Sequence, residues 1–211
     1  PRSNMSLQRV FSCAATPGAM PSQSSGHYIN PNSRLGAMSG FLDRILDMYQ
    51  FIEDSQGVKQ DLTVSLFSDN CESYSTLDGL TYSQMRERVH QGLHNNGGTN
   101  FEAPLMELKK YREKFEGTTD GVFLSDGGHC SMTKKKEQIQ EEFSKAVNLA
   151  IGIGSGTQDF DEETLVKISD EFIAISDPKR MRDVVAKRAM DIVTMLGRDV
   201  VVKTIDRSEE H

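Results

Sequence analysis

The residues best able to do chemistry gather in and just beyond Asp120-Gly-Val-Phe-Leu-Ser-Asp126-Gly-Gly-His129. A short apolar, strand-favouring run ends there in an acid and two glycines. That is the profile of a buried parallel strand delivering the Asp126 carboxylate to the lip of a sheet. Asn96-Gly-Gly-Thr99-Asn100 reads as a Gly-rich turn opening a helix, and Val147-Asn-Leu-Ala-Ile-Gly-Ile-Gly154 as a second buried strand. Ligands of open α/β sheets sit outside the carboxyl ends of the strands, so the loops after these strands form the functional edge.

Three chemistries can be weighed at that edge. His129, Cys130 and Cys13 are ligand types that zinc takes, but no Cys-x-x-Cys or His-x-x-x-His spacing supports a site. A thiol nucleophile would need a base and a third group to orient it, and neither is identifiable. Gly152-Ile-Gly154-Ser-Gly156 has the look of a phosphate-cradling turn. A dinucleotide fingerprint, however, follows the first strand and opens a helix directly, whereas here a polar loop (157–161) intervenes. Small residues that let a helix approach the strand closely explain these glycines better.

Composition narrows the classes. The chain of 211 residues suits one domain, is 36% hydrophobic and carries a net charge of −7. Nucleic-acid binding needs clustered Lys and Arg. The one basic run, Lys134-Lys135-Lys136, leads straight into glutamates and reads as a solvated helix start. No apolar run reaches the length of a membrane span and no signal-peptide core is present. Three cysteines make no even framework, which fits reduced thiols in a cytoplasmic or otherwise intracellular protein.

Hydrophobic spacing supplies the elements that must position the edge. Leu7–Ala15 is the first strand, followed by a long loop rich in Ser, Pro, Gly and Asn. Apolar residues at threes and fours predict a helix over Arg34–Asp54, capped by Ser33 or Asn32. Leu62–Phe67 is a strand, Cys71–Leu80 a short strand or hairpin, and Tyr82–Leu93 a helix capped by Thr81. Phe101–Phe115 is helical with Pro104 in its first turn. After the Asp126 strand come a helix from about Thr133 to Ala146, the Val147 strand, a short helix Glu162–Ser169 and a strand Phe172–Ile175. A closing helix runs from Asp177 to Leu196, and Val200–Ile205 is an extra C-terminal strand. Methionines such as Met38, Met48, Met106, Met190 and Met195 read as core filler on helix faces. The expected fold class is α/β: a single doubly wound, mostly parallel central sheet with helices on both faces. One domain covers residues 5–206, with residues 1–4 as a remnant ahead of Met5 and residues 207–211 as a tail.

The order of these pieces resembles the von Willebrand factor type A family. The matching motifs are Leu66-Phe-Ser-Asp69, Gly97-Gly-Thr-Asn100, Leu124-Ser-Asp-Gly127, Ile151-Gly-Ile-Gly154 before an acidic helix, and Phe172-Ile-Ala-Ile175. The resemblance spans roughly residues 7 to 196. The resemblance implies a metal-ion-dependent adhesion site built from an Asp-x-Ser-x-Ser loop after the first strand, a Thr in the Gly-rich turn and an Asp after the fourth strand. Such a site suits Mg²⁺, a hard cation that wants six oxygens. The Thr and Asp fall on Thr99 and Asp126. In the first loop, Ala15, Pro17 and Ala19 stand where the Asp and the two Ser would be, with Gly18 and Met20 holding the register.

A carboxylate and two hydroxyls are therefore missing together. Thr99 and Asp126, even with Asp69, are too few for a preorganised Mg²⁺ or Mn²⁺ site, and no cofactor is expected. Thr99 is then read as the N-cap of the Phe101 helix, Asp126 as a loop cap and Asp69 as a turn acid. The resemblance implies a non-enzymatic protein–protein interaction module, an adaptor or scaffold in an intracellular assembly. The expected partner is another protein, with no nucleic acid and no membrane involved. Its contacts are expected on the top loops: Thr16, Gly18, Met20, Asn70, Asn100, Gly127 and His129. Two alternatives stay open: metal-dependent capture of a protein ligand through Thr99, Asp126 and Asp69, and an enzyme using the same sheet edge.

Overall fold

Apolar residues along the chain switch between helical spacing and runs that suit strands buried on both faces, and the backbone follows that switch. The structure, a computed structural model, describes residues 8–14, 33–57, 59–93, 98–113, 119–129, 133–154, 159–177, 180, 183–184 and 187, with backbone only at 8–14 and 119. The elements are β1 (Gln8–Ala14), α1 (Arg34–Gln56), β2 (Leu62–Phe67), β3 (Cys71–Ser75), α2 (Tyr82–Gly92), α3 (Glu102–Glu113), β4 (Thr119–Ser125), α4 (Lys136–Glu142), β5 (Val147–Ile153), α5 (Glu162–Ile168) and β6 (Ser169–Ile175), with a 3₁₀ turn at Thr76–Asp78.

The strands form one sheet in the order β3-β2-β1-β4-β5-β6. All neighbours are parallel except β2 and β3. β1 thus lies between β2 and β4, with Ala14 level with Phe67 and Cys13 level with both Leu66 and Leu124. The carboxyl ends of β1, β2 and β4 therefore meet at one edge.

Each long helix shows why it forms and where it stops. In α1 the Ser33 hydroxyl accepts from the Gly36 N–H at 3.0 Å, and the helix ends where Gly57 turns left-handed at φ 64°. Its stripe of Met38, Phe41, Leu42, Ile45, Leu46 and Tyr49 is buried against the sheet. A reciprocal capping box between Thr81 and Gln84 opens α2.

Alternation along the strands splits the core in two. Val64, Leu66, Val122, Leu124, Leu149 and Ile151 pack with α1 and α2. Phe67, Phe123 and Ala150 pack with Phe101, Leu105 and Leu108 of α3, Ile139 of α4 and Leu165 of α5. At the top of the second layer Phe123 meets Phe67 and Phe101, with ring centroids 5.1 and 5.0 Å away. These rings fix the first turn of α3 over the ends of β2 and β4.

Several expectations change. α4 stops at Glu142 instead of Ala146, because Phe143 turns inward to bury its ring and Lys145 adopts a left-handed backbone (φ 56°). The Cys71–Leu80 segment, in contrast, holds the expected short strand, which pairs antiparallel with β2 and is followed by a 3₁₀ turn. Gly152 and Gly154 admit loop side chains and not a helix. A Cβ at Gly152 would lie 2.6 Å from the Phe160 ring, and one at Gly154 2.4 Å from the Asp159 Cβ. Met38 is fully buried, whereas Met106 is exposed and is not core filler. Met190, Met195, most of the expected closing helix and the expected strand Val200–Ile205 lie outside the described residues. Among the described residues, no helix is long and apolar enough to cross a membrane.

Replacing Phe123 with Ala removes the ring shared by the top of the second layer. The expected loss is about 3–5 kcal/mol, read as a lower urea midpoint with an unchanged slope.

Candidate functional site

The edge where β1, β2 and β4 end is also where the chain reverses its direction of winding. From β1 the chain crosses through α1 to β2 on one side, and from β4 through α4 to β5 on the other. In open α/β sheets such a switch point is the usual ligand position. Asp69, Thr99 and Asp126 are brought to the loops of this edge.

The loop after β2 is fastened to the turn before α3. The Asn100 N–H donates to the Ser68 carbonyl at 2.7 Å, and Asn100 Nδ2 donates to the Asp69 carbonyl at 3.3 Å. The Gly98 N–H donates to Asp69 Oδ1 at 3.2 Å. A Cβ on Gly98 would come within 2.3 Å of that oxygen, so the clamp needs glycine. The Asp69 carboxylate thus has one oxygen committed to holding a turn.

Capping of α3 differs from the expectation. Asn100, not Thr99, supplies the side-chain oxygen, accepting from the Glu102 N–H at 3.0 Å. The helix begins one residue later than expected, and this moves the cap from Thr99 to Asn100. Thr99 is instead buried, at 3% exposure.

The loop after β4 is shaped by Ser125, whose hydroxyl donates to the Gly127 carbonyl at 3.0 Å and accepts from the Gly127 N–H at 3.2 Å. This places the Asp126 carboxylate inward, at 4% exposure, with Gly127 buried and Gly128 exposed. His129 then reaches across to α3. Its Nδ1 lies 3.1 Å from the Phe101 N–H, which donates to it, and its Nε2 lies 3.1 Å from the Lys134 carbonyl. The ring also packs against Phe101, with centroids 5.5 Å apart. Both nitrogens are occupied by backbone groups, which argues against His129 as a zinc ligand. Cys130 and the Cys13 side chain lie outside the described residues.

The basic run stands at the start of α4 as expected, and its Lys134 and Lys136, half-exposed, also form ion pairs. Lys134 Nζ pairs with Glu102 at 3.1 Å and Glu142 at 2.6 Å, and lies 5.6 Å from the centre of the Phe143 ring. The short α4 brings these groups together. A hydrogen bond from Thr133, with help from Lys134, holds the Glu102 carboxyl below its ordinary value. Lys136 pairs with Asp161 at 2.9 Å and Glu163 at 2.8 Å. Asp161 caps α5, accepting from the Thr164 N–H at 3.2 Å and from its hydroxyl at 2.7 Å. Burial pushes the Asp161 carboxyl up, but the bonds from Lys136 and Thr164 outweigh it and hold the group below its usual value. Arg34 at the start of α1 pairs with Asp159, between β5 and α5, at 2.9 Å. Cys71, on β3, is a thiol pushed up to about 11 by burial, and so is protonated and unreactive near neutrality.

The sequence carried signals for some of these parts. Asp161-x-x-Thr164 has the spacing of a helix cap, and Asn100 stands two residues before Glu102. The bond from His129 spans 28 residues and has no local signature. Of the residues expected to meet a partner, Asn70 is exposed, Asn100 and His129 are half-buried and engaged, and Gly127 is buried. Thr16, Gly18 and Met20, like Ala15, Pro17 and Ala19, lie outside the described residues.

A divalent ion here would draw on Thr99, Asp126 and the remaining oxygen of Asp69. Among the described residues, no three His, Cys, Asp or Glu side chains are grouped to hold a metal ion. The described donors do not by themselves fit Mg²⁺, which demands near-octahedral oxygen.

No protein-family model matches the sequence, and no curated protein matches it. Solved structures do resemble the fold. A von Willebrand factor type A protein from Catenulispora acidiphila superposes with a TM-score of 0.59 at 16% identity, over 86% of this chain and 41% of that one. Proximal thread matrix protein 1 from the mussel byssus, in a structure with a zinc-occupied MIDAS motif, gives 0.55 at 20% identity over 87% and 46%. The ArnB paralog VWA2 from Sulfolobus acidocaldarius gives 0.54 at 20% over 85% and 44%. The chain thus spans less than half the length of each. The fold is that of von Willebrand factor type A domains.

Replacing Asp161 with Ala is expected to cost about 1 kcal/mol at neutral pH through loss of the cap. A carboxyl lowered by folding contributes stability above its unfolded value of about 3.9, and that contribution is lost as pH falls through the lower folded value. Urea titrations of both proteins should therefore show a gap at pH 7 that has shrunk by about pH 3.

Proposed function

We propose that the chain is a non-enzymatic protein–protein interaction module, an adaptor or scaffold of an intracellular assembly. In this reading residues 5–206 form a single, doubly wound domain of von Willebrand A type, with Val200–Ile205 as an extra strand. Its binding surface is the edge formed by the loops after β1, β2 and β4 and the turn before α3. The partner is another protein, held by shape, apolar contact and backbone hydrogen bonding with no bridging metal.

One observation carries the reading: the described groups of this edge are bonded to one another. Asp69 holds Gly98, Asn100 holds the loop after β2, and His129 holds the first turn of α3. An edge fastened in this way presents a preformed surface, and preformed surfaces lose less entropy on binding. The chemistry of the first loop agrees, since Ala15, Pro17 and Ala19 offer no side-chain oxygen.

A second reading keeps a metal. Thr99 and Asp126 are both buried, in loops of this edge, and the mussel protein has a zinc-occupied MIDAS motif on the same fold. An Mg²⁺ or Mn²⁺ ion held by Thr99, Asp126 and Asp69 would then await a carboxylate from a protein ligand.

Photo-crosslinking separates the two. A photoreactive residue at Asn70 or Gly128, both exposed on the edge, should yield a defined protein adduct that EDTA does not diminish. The same residue at Gln56, at the far end of α1, should yield none. Adducts lost in EDTA would favour the metal reading, and adducts from Gln56 alone would move the interface away from this edge.

A further inference from the structure

His129 is bonded in a way that only one protonation state permits. The Phe101 N–H donates to Nδ1, so Nδ1 must carry a lone pair. The Lys134 carbonyl can only accept, so Nε2 must carry the proton. A ring bonded on both sides in this manner is the neutral Nε2–H tautomer. Adding a proton to Nδ1 would set donor against donor at the first turn of α3. The Phe101 N–H is among those that no helix carbonyl can satisfy, and it sits above a fully buried side chain.

We propose that His129 is a proton-sensitive clasp that positions the loop after β4 against the turn before α3, and that protonating its ring unfastens the two. The consequence for binding rests on the edge being the partner surface proposed above, whereas the clasp itself does not. Charged groups facing the ring come from two elements. From α3, Glu102 lies close enough to interact electrostatically with His129. From the segment entering α4, Lys134 contributes its carbonyl to Nε2 and its ammonium to Glu102 and Glu142. The Glu102 charge, which would otherwise favour an imidazolium, is thus shared with Lys134 and with the Thr133 hydroxyl. On its own loop, Asp126 stands three residues before His129.

The structure marks what the clasp controls. Phe101 packs on Phe67 and Phe123, and Asn100, one residue earlier, holds the loop after β2. Releasing the Phe101 N–H loosens the point at which the loops after β2 and β4 and the start of α3 converge.

The test is nuclear magnetic resonance on the intact chain, without any partner. Ring ¹⁵N shifts of His129 are expected to report the Nε2–H tautomer at the alkaline end. Hydrogen exchange at the Phe101 amide should be slow there and accelerate at least tenfold, beyond the intrinsic pH effect, as the ring becomes protonated. His129→Asn places an amide oxygen where Nδ1 was, an acceptor that cannot be protonated, and should keep Phe101 protected across the range. His129→Phe keeps the ring contact, removes both nitrogens and should leave Phe101 poorly protected throughout. An Nδ1–H tautomer, or Phe101 protection that ignores ring protonation, would overturn the proposal. Crosslinking that fails while these signatures hold would instead count against the edge as the partner surface.

Discussion

The reversal of winding between β1 and β4 is the constraint from which the rest follows. Parallel strands joined by crossovers of one hand must send α1 and α4 to opposite faces when the chain moves outward in opposite directions. That splits the hydrophobic core into two layers and brings the carboxyl ends of β1, β2 and β4 together at one edge. Backbone groups at such an edge still need partners. Here Asp69, Asn100, Ser125 and His129 supply many of them, each from a loop that the sheet has already brought into place.

Position and fastening reinforce each other. Phe123 at the end of β4 and Phe67 at the end of β2 seat Phe101, and Phe101 is the residue whose amide His129 holds. The ion pairs around Lys134, Lys136 and Arg34 are half-exposed and add little stability each, but they join α3, α4, α5 and α1 near the same edge. Asp161 does more, because it caps a helix and pairs with a lysine at once.

Much of the fold was legible in the sequence because burial writes a local pattern. The spacing in α1, the six-residue run of β2 and the Thr81–Gln84 box each mark an element without reference to anything distant. Where the expectations missed, the deciding contact came from elsewhere in the chain. Phe143 had to reach the second layer, so α4 ended early. Lys134 found Glu102, 32 residues back, a pairing that the local run does not announce. Asn100 displaced Thr99 as the cap because the helix began one residue late. The role of His129 could not be read locally at all, since its partner is an amide on another loop. The family pattern points to the edge where β1, β2 and β4 end, and the chemistry at that edge depends on how loops meet.

Calorimetric titration with Mg²⁺ and Mn²⁺, paired with thermal melting, addresses most directly whether the edge stands without an ion. An edge held by its own hydrogen bonds predicts no saturable heat and no rise in melting temperature at millimolar ion. A resident site would stabilise the fold by mass action, by about 2.7 kcal/mol at an ion concentration one hundred times the dissociation constant. Saturable stabilisation that disappears in Asp126→Ala would contradict the metal-free edge and make an ion its organising element.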